Sequence, residues 1–278
     1  MAALADGLIG KGEYGEVKII NVAGVKFALK TTKLPIFPKE PETVMACLRE
    51  EAMTCKHKHI IERIWCRFWN GNFQLCMELG KPVSHAPGQQ VLEEIGQALY
   101  FMHSKGFIHR DIKPDNIVRV GKTLKLIDFG LTRKGDGSSE ITSYMVTRWF
   151  RPPEMLRICE DFKKMEYDGR CDMWSLALTA YYLQNGNPLF YGTSAQILSM
   201  YAKYKKVRTG LFSHLLCEYD ERWTAKQMLE SNDIPLIEGS MAEVVPRTGV
   251  VAQYVEKVLN GDDDGLAEIG YEGIRKEL

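Results

Sequence analysis

The amino-acid sequence predicts an α+β chain, with a strand-rich stretch of roughly 80 residues leading into a longer helix-rich remainder. Three observations predict this order. Short apolar runs separated by glycines fill residues 5–30, and a second pair of runs is split by Asn70-Gly71-Asn72. From Gln89 onwards, apolar residues recur at helical spacing.

Taken in order, LIGKGEYGEVKII and VAGVKFALK predict a glycine-turned hairpin and a third strand. TTKLPIFPKEPE carries three prolines and predicts a loop, because proline lacks the donor that a helix or ladder needs. MACLREEAMTCK predicts a helix. IERIWCRFW and NFQLCMEL predict a second hairpin, turned at Asn-Gly. VLEEIGQALYFMH predicts a helix between Gln89 and Ser104, and short strands follow around FIH, NIVRV and LKLIDF. Further helices are predicted at 153–160, 171–184, 194–206 and 224–231.

Thirty-six basic and 36 acidic residues cancel, so no global field draws nucleic acid or an anionic membrane. The seven cysteines (47, 55, 66, 76, 159, 171 and 217) show neither CxxC nor Cys/His ligand spacing. They predict a reduced intracellular protein, cytoplasmic or nuclear, with buried thiols. MAALADGLIG has no basic leader, and no apolar run approaches the ~18 residues a spanning helix needs. Neither a signal peptide nor a membrane helix is expected.

The chemistry concentrates in FIHRDIKPDN, residues 107–116, and just beyond it. Asp111 and Asn116 are followed by Asp128-Phe129-Gly130. Phosphoryl transfer needs a carboxylate to orient the attacking hydroxyl and oxygen ligands to hold Mg²⁺ against phosphates. Asp111 suits the first task; Asn116 and Asp128 suit the second. Any one of these residues alone reads as an ordinary turn residue, and only the set in this order carries the inference. Upstream, Gly10-x-Gly12-x-x-Gly15 precedes strand signals rather than a helix, so it is not a dinucleotide fingerprint. A glycine hairpin lets backbone N–H groups approach phosphate oxygens. Lys30, in the apolar strand KFALK, is then a cation for the same phosphates.

GKGEYGEV, FALK, HRDIKPDN, DFG and RPPE together resemble the signature set of eukaryotic protein kinases, over residues 9 to about 230. The resemblance implies a bilobal protein-kinase fold: a small β-rich N-lobe, a larger mainly α-helical C-lobe and a cleft between them. It divides the chain into 1–79, 80–231 and a tail, 232–278, expected to pack on the core. It implies ATP and Mg²⁺ as cofactors and serine or threonine of protein substrates as the acceptor. By resemblance, Asp111 is the catalytic base, Lys113 neighbours the moving phosphoryl group, and Asn116 and Asp128 hold Mg²⁺. Ile9, Gly10, Lys11, Gly12, Glu13, Tyr14, Gly15, Val17, Ala28 and Lys30 would cover the nucleotide. Met77 resembles the gatekeeper, with hinge groups at Glu78, Leu79 and Gly80 facing adenine.

Lys30 requires a carboxylate on the following helix, and Glu50 and Glu51 both qualify. Glu50 is preferred, because Cys47, Leu48 and Met53 surround it at the spacing of a core-facing stripe. MVTRWFRPPEM resembles the TRWYRAPE of the group holding MAP kinases and cyclin-dependent kinases. There Thr147 would bond towards Asp111 and Lys113, and Arg151 would shape a pocket favouring proline after the acceptor. Thr142 and Tyr144 stand where that group carries activating phosphates. Such a phosphate needs arginines, and Arg49, Arg110 and Arg133 stand where the family places them. Asp172 and Trp174 resemble the helix that braces the catalytic loop, and Arg222 the partner of Glu154. His109 and Asp115 are read as structural members of the loop.

The chain also departs from the family. Ala177 replaces a usual glycine, and the stretch from Gly80 to Val91 is too short for the extra helix that commonly follows the hinge. Docking residues for cyclins or other regulators cannot be placed, so a regulatory partner stays unidentified, and a monomer is expected. TGVVAQYVEKVLN reads as an amphipathic helix returning to the lobes, and GDDDG as a solvated turn lacking the pattern of a calcium loop. A scaffold with a blocked cleft and a small-molecule kinase are the alternatives. The intact Lys30, Asp111, Asn116 and Asp128 oppose the first, and the RPPE platform opposes the second.

Overall fold

The computed structural model describes residues 4–12, 15–34, 41–134, 148–161, 168–204 and 210–241. Glu13, Tyr14, Thr142, Tyr144, Thr147 and the tail segments TGVVAQYVEKVLN and GDDDG lie outside these residues.

Strands β1 (Leu4–Gly12), β2 (Gly15–Val22) and β3 (Val25–Lys33) open the chain, and helix α1 (Pro41–Ala52) follows. Then come β4 (Cys55–Lys56), β5 (Arg63–Trp69), β6 (Asn72–Glu78) and β7 (Lys81–Pro82). The first large sheet is antiparallel with order β1-β2-β3-β6-β5. The β5–β6 turn is made by Asn70 (φ 50°) and Gly71 (φ 71°), both left-handed, as a two-residue hairpin with native twist requires.

The remainder is mainly helical. Helix α2 (Gly88–Ser104) leads into the short strands β8 (Phe107–Ile108), β9 (Ile117–Val120), β10 (Thr123–Leu126) and β11 (Arg133–Lys134). Helices α3 (Pro153–Asp161), α4 (Arg170–Asn185), α5 (Ser194–Tyr204), α6 (Phe212–Leu215) and α7 (Ala225–Glu230) follow, and β12 (Ser240–Met241) ends the described chain. The fold is therefore a bilobal α+β arrangement, a β-rich lobe followed by a mainly helical one. Every residue of α4 from Cys171 to Ala180 is buried, which makes it the axis of the larger lobe.

The bounds of α1 depart most from the sequence expectation. Helix α1 begins at Pro41, inside the proline-rich segment, because proline is tolerated in a first helical turn whose N–H groups have no intrahelical partner. It ends at Ala52, and Cys55–Lys56, expected to be helical, pair instead with Ser240–Met241. Strand β6 ends at Glu78, which therefore belongs to the sheet as well as to the segment that follows Met77.

The lobes are stitched together behind the cleft. Leu126 N–H donates to His59 O (2.9 Å), and Ile61 N–H donates to Leu126 O (3.0 Å), around an isolated parallel bridge between Ile60 and Leu126. These bonds fix β10, and hence Asp128 after it, to the N-lobe.

Candidate active site

The ceiling of the cleft follows from strand register. Val17, Lys30 and Leu75 are directly opposed across β2, β3 and β6; so are Ile19, Ala28 and Met77. Opposed residues share a face, and residues two positions apart along a strand return to it. Val17, Ala28, Lys30 and Met77 therefore line one surface. The β1–β2 hairpin closes with Gly12 opposite Gly15, bringing Gly10 opposite Val17 and Lys11 opposite Glu16, and Ile9 is half exposed. Gly15 has φ 153°, and a Cβ there would sit 2.2 Å from the Thr31 carbonyl oxygen, so the turn admits glycine alone. At the hinge a Cβ on Gly80 would lie 2.5 Å from Val118 Cγ2. Absence of a side chain lets the hinge pass directly over β9.

On that surface Lys30 Nζ reaches Glu50 Oε1 at 2.8 Å and Asp128 Oδ1 at 3.2 Å. Glu51 turns elsewhere, with its carboxylate on Cys66 Sγ at 3.7 Å. Burial opposes the charge on Lys30, but the carboxylates of Asp128 and Glu50 outweigh it and keep the ammonium protonated well above the usual lysine range. Burial, reinforced by the Asp128 charge, pushes Glu50 up against the pull of Lys30. Burial also opposes ionisation of Asp128, yet Lys30 holds that carboxyl down to about 2.

Below the cleft, the loop after β8 carries Asp111. Its Oδ2 accepts from Asn116 Nδ2 (2.8 Å) and pairs with Lys113 Nζ (2.9 Å). Its Oδ1 is buried with no hydrogen-bond partner among the described residues. Burial raises the Asp111 carboxyl above the ordinary value, while Lys113 works in the opposite sense. The loop hangs from Asp172 of α4, whose carboxylate accepts from His109 N (2.8 Å) and Arg110 N (2.7 Å) and meets His103 Nε2 at 2.9 Å. Burial works against charge on Asp172, and these bonds overcome it, leaving the carboxyl below its ordinary range. Arg110 (φ 68°) and Asp128 (φ 65°) are both left-handed, so anchored backbone sets the site's shape. His109 is wholly buried, edge-on to Phe129 at 5.4 Å.

The protein kinase domain family matches residues 5–249. The chain belongs to the protein kinase family. It is 34% identical over 202 residues to a probable serine/threonine-protein kinase of Dictyostelium discoideum, covering 67% of this chain and 38% of that protein. It is 38% identical over 122 residues to cyclin-dependent kinase F-4 of Oryza sativa, covering 44% of this chain and 26% of that one. To mitogen-activated protein kinase 4 of the same plant it is 36% identical over 115 residues, covering 41% and 30%. The chain thus spans less than half the length of these relatives.

The kinase scaffold also brings the phosphate-sensing candidates together. Arg49 NH1 donates to Gly130 O (3.3 Å) and Arg110 Nε to Leu131 O (2.7 Å), on consecutive carbonyls, and Arg133 lies two residues on, in β11. Glu154 and Arg222 form a buried bidentate pair, NH1–Oε1 2.6 Å and NH2–Oε2 2.9 Å. Arg222 also donates to the carbonyls of Arg170 and Cys217, both at 3.1 Å. Sequence reasoning missed Lys125, whose Nζ lies 2.5 Å from Glu78 Oε1, an oxygen that also accepts from Glu62 N–H at 2.7 Å. Its signal was a lone lysine in the apolar run LKLIDF, three residues before Asp128.

Proposed function

We propose that this chain is an ATP- and Mg²⁺-dependent protein kinase that phosphorylates serine or threonine in protein substrates. The observation that carries the reading is Asp111. A buried carboxylate oxygen without a partner is costly, unless an incoming donor satisfies it. Here Oδ2 is committed to Asn116 and Lys113, so Oδ1 is the oxygen a substrate hydroxyl would meet. In that position Oδ1 accepts the hydroxyl hydrogen bond, orients the oxygen and takes its proton as it attacks. Lys113, held on the same carboxylate, faces the charge that develops on the phosphoryl oxygens.

The residues present fit the cofactors. The Val17, Ala28 and Met77 surface offers an apolar ceiling to a base, and the main chain at Glu78 and Gly80 offers hydrogen bonds to its edge. Lys30 and the glycine hairpin suit phosphates. Asn116 uses its Nδ2 on Asp111 O and Oδ2, both at 2.8 Å, which leaves its oxygen for a cation beside the partly exposed Asp128. MgATP supplies the γ-phosphoryl group; the chain supplies alignment and charge.

Two finer features belong to the same reading. Phosphate on Thr142 or Tyr144 would be recognised by Arg49, Arg110 and Arg133 and would raise turnover. Arg151, which shares a small cavity with Arg110, Asp111, Phe150 and Met155, would favour proline after the acceptor. The deciding experiment incubates purified chain with Mg-ATP and a generic basic protein. Phosphoserine or phosphothreonine forms with wild type and is abolished in Asp111→Asn; equal labelling by both removes the proposal. Unchanged turnover in Thr142→Ala removes the activation step, and indifference to proline in a peptide array removes the specificity.

A further inference from the structure

After α7 the chain leaves the larger lobe, crosses α2 and ends its described course on the N-lobe. Gln97 of α2, 3% exposed, grips this crossing with both ends of its amide. Its Nε2 donates to Pro235 O (2.6 Å), and its Oε1 accepts from Ile237 N–H (2.9 Å). Tyr100, further along α2, reaches Glu238 at 3.5 Å. Gly239 then passes so close to both lobes that a Cβ would lie 2.8 Å from Lys56 O and 2.9 Å from Phe101 Cε2. Finally Ser240 and Met241 pair antiparallel with Lys56 and Cys55.

Cys55 and Lys56 stand only a few residues beyond the end of α1, the helix that carries Glu50. Among the contacts that hold that end, beside the stack of His57 on Phe101 and the bonds of His59 and Ile61 to Leu126, two bear on the helix position. Arg63 NH1 donates to Glu50 O (3.1 Å) and Glu51 O (2.7 Å), fixing it to the N-lobe sheet. The 234–241 segment fixes it to α2 of the other lobe. Where α1 ends sets where the Glu50 carboxylate sits, and Lys30 reaches Glu50 only within hydrogen-bond distance.

We propose that residues 234–241 form an interlobe strap that positions Glu50 against Lys30 by tying the end of α1 to α2. The inference rests on reading the cleft as a phosphotransfer site, but its anchoring half can be tested without activity. Gly239 and Gln97 are the positioning residues: the first allows the crossing and the second holds it. Neither touches the nucleotide surface or Asp111.

The test compares wild type, Gly239→Val and Gln97→Leu in the full chain. Hydrogen exchange is followed over 45–56 and 234–241, together with steady-state kinetics in Mg-ATP. Release of the strap is expected to speed exchange at both segments and to lower kcat on the order of tenfold, with KM for the protein substrate little changed. In a Glu50→Gln background, Gly239→Val should cost nothing further, because a strap acting through Glu50 has nothing left to position. Wild-type kcat despite faster exchange, or losses that add fully in the Glu50→Gln background, overturns the proposal. Unchanged exchange over 45–56 in both variants overturns it even if no phosphotransfer is detected. Fast exchange in a chain with no transfer in any variant instead removes the phosphotransfer reading and leaves the anchoring. Should Gly239→Val not fold, Gln97→Leu carries the same comparisons.

Discussion

Asn116 Nδ2 donates to both the backbone carbonyl and the side-chain Oδ2 of Asp111, at 2.8 Å each, so one amide fixes the loop and aims the carboxylate. Asn116→Ala should therefore misdirect Oδ1 as well as remove the side-chain oxygen proposed to hold Mg²⁺. A fall in kcat of roughly 10²-fold is expected, the scale of loss from an ångström of misplacement. The requirement for Mg²⁺ should rise with it. Steady-state rates across a Mg²⁺ titration check this, and a variant with wild-type kcat at saturating Mg²⁺ contradicts it.

Glu50 and Glu51 are neighbours of the same charge, yet only Glu50 reaches Lys30. Glu50→Gln should lower kcat/KM for ATP by about tenfold or more, the loss of a charge-assisted bond to a partly buried ammonium. Glu51→Gln should stay within about twofold, as expected for a change that leaves the site intact. Parallel kinetics on the two variants decide the matter, and equal losses would mean that the helix, not the pair, matters.

Arg222 and Glu154 form a desolvated pair 68 residues apart, with Arg222 wholly buried. Arg222→Met leaves Glu154 buried and unpaired, and should cost about 3–5 kcal/mol of folding stability. Urea unfolding should show a lower midpoint. The double variant Arg222→Met/Glu154→Leu should recover part of the loss, because removing both charges removes the orphan.

His57 predicts an acid-sensitive component of stability. The ring is buried, stacks on Phe101 at 5.1 Å, and accepts from His59 N–H at 3.2 Å. Burial, together with the charges of His59 and Lys125, lowers its pKa to about 4, although the Ile237 carbonyl faces it. In the unfolded chain the ring protonates near pH 6.5. Stability contributed by the neutral ring is therefore fully present above that pH and is lost as pH falls towards 4. The upper bound is about 3 kcal/mol. Denaturation across pH 4–7 should show a flatter profile for His57→Gln than for wild type.

Much of this was legible in the sequence, and the reasons differ by element. The β1–β2 and β5–β6 hairpins announce themselves through glycine and Asn-Gly, because few residues adopt left-handed turn conformations. Asp111, Asn116 and Asp128 were singled out because those residue types in that order suit one chemistry, and the structure sets Asn116 on the Asp111 carboxylate. The pairings of β4 with β12 and of β8 with β11 were not readable. Each is two residues long and joins segments distant in the chain, so no local periodicity encodes it. Pro41 misled because a breaker inside a helix is an acceptable first residue of one. Lys125 was overlooked because its partner, Glu78, is a neighbour only after folding.

Asp172 holds the loop that carries Asp111, and it sits on α4, whose residues from Cys171 to Ala180 are all buried. Turnover and folding therefore share one foundation. A mild fault in the packing of α4, too small to unfold the chain, would be transmitted through that carboxylate to His109, Arg110 and Asp111 beside them. Activity would then be a finer gauge of the state of the core than any melting curve.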